Sequence, residues 1–326
     1  MTCETKTEFT SGASTSRRMF LSQSLMLSGA LVSSITTAAE KDKVIGPETL
    51  DFEFIKKPPG TLHSIGTHRL HGWLMGSGDT TVLFEPGLGG SSLEFLPLAE
   101  ELSTKTQICL YDRAGYAWSD PGLNPRHVIR LATEIKLLMQ TMQLNNPLVL
   151  VGHSYGGLIM RQLANLMPDK IKGLVLVDAS HEDQFQRLAG HSDKSMLPTS
   201  NHFVITRPDL PPGLRDDVRK KILAFSRMRK TYSAVHAEIA SFEVSCEHIG
   251  NTRKEFDFPV SVISRGLDPH SVRSDNGEKH RIWQEMQSDM LSLSQQSQQL
   301  IATKSGHHIH VDEPHHVRDS ILELLV

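Results

Sequence analysis

The chain has 326 residues, a formal net charge of −3 from 34 basic and 37 acidic side chains, and three cysteines. With both signs interspersed, this balance excludes an electrostatic nucleic-acid surface or a polybasic lipid-binding face as the basis of function. Three cysteines make no disulfide framework, and they leave Cys109 and Cys246 either as one bridge or as two small buried thiols.

The first element is an export signal. Ser16-Arg17-Arg18-Met19-Phe20-Leu21 matches a twin-arginine leader, an apolar stretch follows at Leu25–Val32, and small residues Thr37-Ala38-Ala39 offer a cleavage site. Serines interrupt the apolar stretch, which falls short of the roughly 20 residues a bilayer span needs. The expectation is a bacterial protein exported by the twin-arginine machinery to the periplasm or the medium, without a stable membrane anchor. Removal of residues 1–39 leaves 40–60 as an N-terminal extension, then enough chain for one large α/β domain.

Thr61 to Met75 alternates around Gly66 and Gly72 like a hairpin, and Thr81-Val82-Leu83-Phe84 is a short strand ending at Pro86-Gly87. A helix around Leu93–Leu102, a strand at Gln107–Tyr111 and a helix over Val128–Met142 come next. Pro147-Leu148-Val149-Leu150-Val151 reads as a buried strand, followed by a helical pattern through Leu166 and a second buried strand, Gly173–Asp178. Residues 181–256 are rich in His, Lys, Arg and Met, with helical stretches such as Asp216–Arg229, and are expected to form an inserted helical cap. Val260–Ser264 restores the sheet, His280–Leu293 resembles a helix, and Gln299–Thr303 is a last strand. Such alternation predicts a mostly parallel sheet, with the core at 61–180 and 257–326.

Chemistry enters at Gly152-His153-Ser154-Tyr155-Gly156, a G-x-S-x-G match between a buried strand and a helix. Glycines at 152 and 156 remove side chains that would clash in so sharp a turn, which would expose Ser154 Oγ above the sheet edge.

With Glu85-Pro86-Gly87-Leu88-Gly89-Gly90-Ser91, Asp112-Arg113-Ala114-Gly115-Tyr116-Ala117-Trp118-Ser119-Asp120, Leu176-Val177-Asp178 and Ser305-Gly306-His307 before Glu313-Pro314, the chain resembles the α/β-hydrolase superfamily from about residue 61 to its C-terminus. The resemblance implies an eight-stranded, mostly parallel sheet flanked by helices, with the cap inserted after strand 6. It also implies a catalytic triad of Ser154, His307 and Asp268, in the chain order Ser, Asp, His. His308 and His310 are rivals to His307, and Asp178 is the alternative acid. The backbone amides of Tyr155 and Leu88 are the expected oxyanion donors. Two positions depart from the family pattern: Glu85 stands near the usual histidine, and Ala117 replaces the second glycine of the D-R-x-G-x-G-x-S loop. Arg113 is either a structural partner or a binder of a substrate carboxylate.

No metal and no cofactor are expected. The cluster His307, His308, His310, Asp312, His315 and His316 lacks a spacing that completes a tetrahedral set, and no phosphate loop or dinucleotide fingerprint occurs. The implied activity is serine hydrolysis of a small-molecule acyl substrate, an ester or lactone. Amide or aminopeptidase activity, or a catalytically idle ligand-binding role, are the alternatives.

Overall fold

A computed structural model of the chain describes residues 53–188, 210, 212–268 and 277–326. The twin-arginine leader and most of the 189–211 stretch of the expected cap lie outside the described residues.

A short helix, α1 (Glu53–Lys56), precedes β1 (Thr61–Ser64) and β2 (Arg69–Met75), which pair as the expected hairpin. There follow β3 (Thr81–Glu85), a 3-10 turn (Ser92–Phe95) running into α2 (Leu96–Leu102), β4 (Gln107–Tyr111), α3 (Val128–Thr141), β5 (Leu148–His153), α4 (Tyr155–Leu166) and β6 (Ile171–Val177). Between β6 and β7 (Val260–Arg265) the chain carries α5 (Gln184–Arg187), α6 (Asp216–Ser226), α7 (Arg229–Ala240) and α8 (Phe242–Asn251). After β7 come α9 (Glu278–Asp289), β8 (Ser297–Ala302), α10 (Ile309–Asp312) and α11 (Pro314–Leu325).

The eight strands form one sheet in the order β1-β2-β4-β3-β5-β6-β7-β8. β2 runs antiparallel to both β1 and β4, and all later pairings are parallel. Strands covered by helices on both faces read as unbroken apolar runs, and every residue of β3 and β5 is buried. One face packs on α3 and α4 through Leu131, Ile135, Leu158 and Leu163, and the other on α2 and α11 through Leu98, Leu102, Val317 and Ile321. The expected elements did not include α11. Its Val317, Ile321 and Leu324 recur at helical spacing, and Leu324 fills the space that Gly173 leaves on β6. Cys109 and Cys246 are both buried free thiols, which removes the bridge alternative.

A buried ion pair ties both ends of the inserted segment to the core. Glu182 follows β6, accepts from Arg161 Nη1 and Nη2 of α4, the latter at 2.9 Å, and accepts again from Arg253 beyond α8. Burial opposes ionisation of Glu182, but the hydrogen bonds and charge of Arg161 outweigh it and hold the carboxyl well below the usual range. Glu182→Gln is expected to cost about 3 kcal/mol at pH 7 by urea unfolding, because it strands Arg161 without a counter-charge. A lowered folded-state pKa means that this contribution is complete above about pH 4.5 and declines as pH falls toward the folded value. The gap between wild type and variant should therefore be narrower at pH 3 than at pH 7; an unchanged gap would contradict the assignment.

Candidate active site

Ser154 sits where the chain leaves β5 and enters α4, with φ 53° and ψ −124°. A serine held there stores about 1–3 kcal/mol of backbone strain, and its surroundings fix it. Its N–H donates to Val177 O at 3.1 Å, and its carbonyl accepts from Gly157 at 2.9 Å and from Ser180 at 3.0 Å. Close approach of the α4 N-terminus to the loop after β3 demands glycine at 156, since a Cβ there would lie 2.4 Å from Glu85 O and 2.7 Å from Pro86 O. Tyr155 is the first residue of α4, so its N–H has no intrahelical acceptor. Leu88 lies on the facing loop, half-buried.

His307 stands on the loop between β8 and α10, about one-third exposed, with Nδ1 2.6 Å from Asp178 Oδ2. This contact is made by Asp178, the alternative acid, while Asp268, the expected one, is half-buried on the loop after β7. The reason lies in strand order: β6 adjoins β5, so a residue at its C-terminal end stands one strand from Ser154, whereas β7 is a strand further away. Asp178 takes φ 41°, is fully buried, and accepts from Arg265 Nη1 at 2.8 Å and Trp283 Nε1 at 2.7 Å as well. Burial pushes its carboxyl up, but Arg265, with the bonds from His307 and Trp283, brings it below its ordinary value. An ionised Asp178 holds the proton of His307 on Nδ1 and leaves Nε2 as the basic nitrogen. His153, just before the serine, donates from Nε2 to His307 O at 2.9 Å and so braces that loop. Burial, and then the neighbouring histidines, keep His153 neutral.

Neither His308 nor His310 occupies the position of His307. His310 is buried and stacks on Phe95 with ring centroids 4.4 Å apart, while His308 lies against His153 at 5.4 Å.

The loop carrying Leu88 is held from beneath by Arg113. This buried guanidinium donates to Pro86 O at 2.8 Å, to Gly87 O at 2.7 Å, to the Glu85 carboxylate, and through Nε to Glu238 Oε1 of α7 at 3.2 Å. Tyr111 donates to the other Glu85 oxygen, while Tyr116 and Arg126 both bind Glu238, at 2.7 and 2.9 Å. Glu85 therefore fills the family's histidine position as the buried counter-ion of Arg113. Burial pushes its carboxyl up to about 7 against the attraction of Arg113. Arg113 is thereby the structural partner rather than a surface for substrate. Asp120 braces the same loop by pairing with Arg69 at 2.7 Å, and Ala117 takes the φ of 34° where the family has glycine.

The inserted α7 docks on this loop with residues at helical spacing. Lys230 donates to Ala117 O at 2.6 Å and Ser119 O at 2.7 Å, Thr231 to Gly115 O at 3.1 Å, and a Cβ on Gly115 would strike Ala234 at 2.6 Å. Position alone gave sequence reasoning no sign of Glu238 or Arg265, whose partners lie 125 and 87 residues away.

Replacement of Arg113 by Met is expected to cost about 3–5 kcal/mol in urea unfolding, because two buried carboxylates lose their shared counter-ion. Lysine at 113, a point charge without the planar fork, should recover only part of it; a Met variant as stable as wild type would refute this role.

Residues 80–206 match the family pattern described as alpha/beta hydrolase fold. The chain is 28% identical over 249 residues to the uncharacterized protein YqjL of Bacillus subtilis, covering 76% of this chain and 85% of that protein. Among solved structures, the epoxide hydrolase CorEH superposes with a TM-score of 0.58 at 16% identity, over 81% of this chain and 97% of that one. A thermophilic esterase from Thermogutta terrifontis superposes with a TM-score of 0.57 at 18% identity, over 81% and 97%. With the strand order above, these likenesses establish that the chain has the α/β-hydrolase fold.

Proposed function

We propose that the chain is a serine hydrolase that cleaves a small-molecule carboxylic ester or lactone through an acyl-enzyme. The observation that carries this reading is the 2.6 Å contact of His307 Nδ1 with buried Asp178, on loops beside a serine held in a strained strand-to-helix turn. In this mechanism His307 Nε2 takes the proton from Ser154 Oγ as that oxygen attacks the acyl carbon, and Asp178 stabilises the imidazolium. The amides of Leu88 and Tyr155 hold the oxyanion, each worth about 2.7–4 kcal/mol of barrier. His307 then gives the proton to the leaving alcohol, and water repeats the sequence to release the acid. A serine at the elbow, rather than a carboxylate, favours acyl transfer over the epoxide chemistry named for one structural neighbour. In the same reading α6–α8 form the cap over the site, and the twin-arginine leader exports the enzyme from the cytoplasm.

The test is hydrolysis of a p-nitrophenyl ester and aryl-amide panel. Ester turnover should vanish in Ser154→Ala. Asp178→Asn, which reverses the tautomer of His307, should lower kcat by about 10⁴-fold, whereas Asp268→Asn should stay within a few-fold of wild type. The opposite order would return the triad to Asp268, amide preference would shift the substrate class, and an inert, well-folded wild type would point to ligand binding without catalysis.

A further inference from the structure

Next to the serine turn, three buried side chains from distant parts of the chain converge. They are Glu94 in the 3-10 turn after β3, His153 at the end of β5 and His310 in α10, and one donor atom from each lies within 4.8 Å of the others. All three are at least nine-tenths buried, at 6%, 3% and 3% exposure. Three of the four ring nitrogens in this cluster have no hydrogen-bond partner: His153 Nδ1 and both nitrogens of His310. Unsatisfied polar atoms in a buried setting are costly, so three together point to a ligand.

One ring nitrogen of the cluster is free to accept. His153 Nε2 donates to His307 O, which leaves Nδ1 unprotonated with its lone pair aimed into the cluster. Glycine at 87 keeps that nitrogen open, since a Cβ there would stand 3.1 Å from it. Glu94 Oε1 is engaged by the Ser91 N–H at 3.0 Å, and Oε2 lies at ion-pair distance, 3.7 Å, from His310 Nε2, longer than a hydrogen bond.

We propose that Glu94, His153 and His310 form a buried binding site for one divalent transition-metal ion of the zinc class. Two imidazoles and one carboxylate suit a borderline cation, whose donors close to about 2.0–2.2 Å. The ion stands behind the catalytic groups and acts as a clasp. It joins the loop after β3, the strand that delivers Ser154 and the turn that follows His307, and it fixes the His153 tautomer that holds the His307 loop. Binding of the ion does not require the acyl substrate.

The experiment strips the full-length protein with a chelator, adds Zn²⁺ alone, and measures retained metal per chain after gel filtration. Parallel samples take Co²⁺ for visible spectroscopy. Wild type should retain one Zn²⁺, gain thermal stability from it, and show the strong Co²⁺ d–d bands of a low-coordinate nitrogen–oxygen site. Glu94→Gln preserves the acceptor to Ser91, and His310→Phe preserves the stack on Phe95. Each should weaken binding by at least about ten-fold, the least that loss of a metal's supporting shell costs. Glu313, His315 and His316 form the other cluster of metal-binding type among the described residues, and it is partly exposed. A His315→Ala/His316→Ala double variant should therefore retain the ion. Wild type that keeps no stoichiometric Zn²⁺, equal retention in both buried-site variants, or loss only in the surface double variant would each overturn the proposal.

Discussion

One guanidinium, that of Arg113, fixes the relation between the loop that faces Ser154 and the helices inserted after β6. It is desolvated on every side, and its charge is divided between Glu85 at the end of β3 and Glu238 on α7, while its remaining donors hold the carbonyls of Pro86 and Gly87. Buried charge of this kind contributes little net stability over an apolar equivalent, yet it is costly to leave half-made. It therefore acts as a condition on geometry. Glu238 on the inserted helix is satisfied only when the core loop that carries Arg113 and Tyr116 is in place.

The second constraint is the turn at Ser154. A parallel strand that ends beneath a helix N-terminus can expose a side chain only by forcing its backbone into a sparsely populated region, and residues 153–157 meet this with Gly156 packed against the loop after β3 and Gly157 against Ala179. The same crowding brings Glu85 O and Pro86 O against Gly156, so the strain at the serine and the position of Leu88 are settled together. Asp178, also at positive φ and held by the Ile263 carbonyl at 2.7 Å, repeats the device one strand along. Two strained strand ends thus face the His307 loop from β8.

These arrangements imply a division of labour. The sheet sets the spacing of Ser154, Asp178 and His307 by strand order, and polar contacts between loops set their orientation. The inserted helices are anchored at three separate places: Glu182 at their base, Glu238 over the Arg113 loop, and Ser245, whose hydroxyl lies 3.1 Å from Tyr155 Oη and 3.2 Å from Val128 N. An insert tied to the core at three places has its position fixed by the core loops it contacts.

Much of this was legible in the chain itself. Mostly apolar runs marked the central strands β3 to β7, because a strand buried on both faces has little freedom to be polar. The G-x-S-x-G turn marked Ser154, because only glycine tolerates the approach of Glu85 O at position 156. The helix at Pro314–Leu325 buries Val317, Ile321 and Leu324 at helical spacing, directly after the histidine-rich segment. Other features were decided only by tertiary structure. Chain order allowed either Asp178 or Asp268 to serve His307, and strand adjacency favoured the one beside β5. Sequence spacing likewise could not show that Glu94 and His153 fold against His310, because the three lie far apart along the chain. The physical reason is common to both: local patterns record which face of an element is buried, whereas partners brought together by the order of strands leave no mark within a local stretch of sequence.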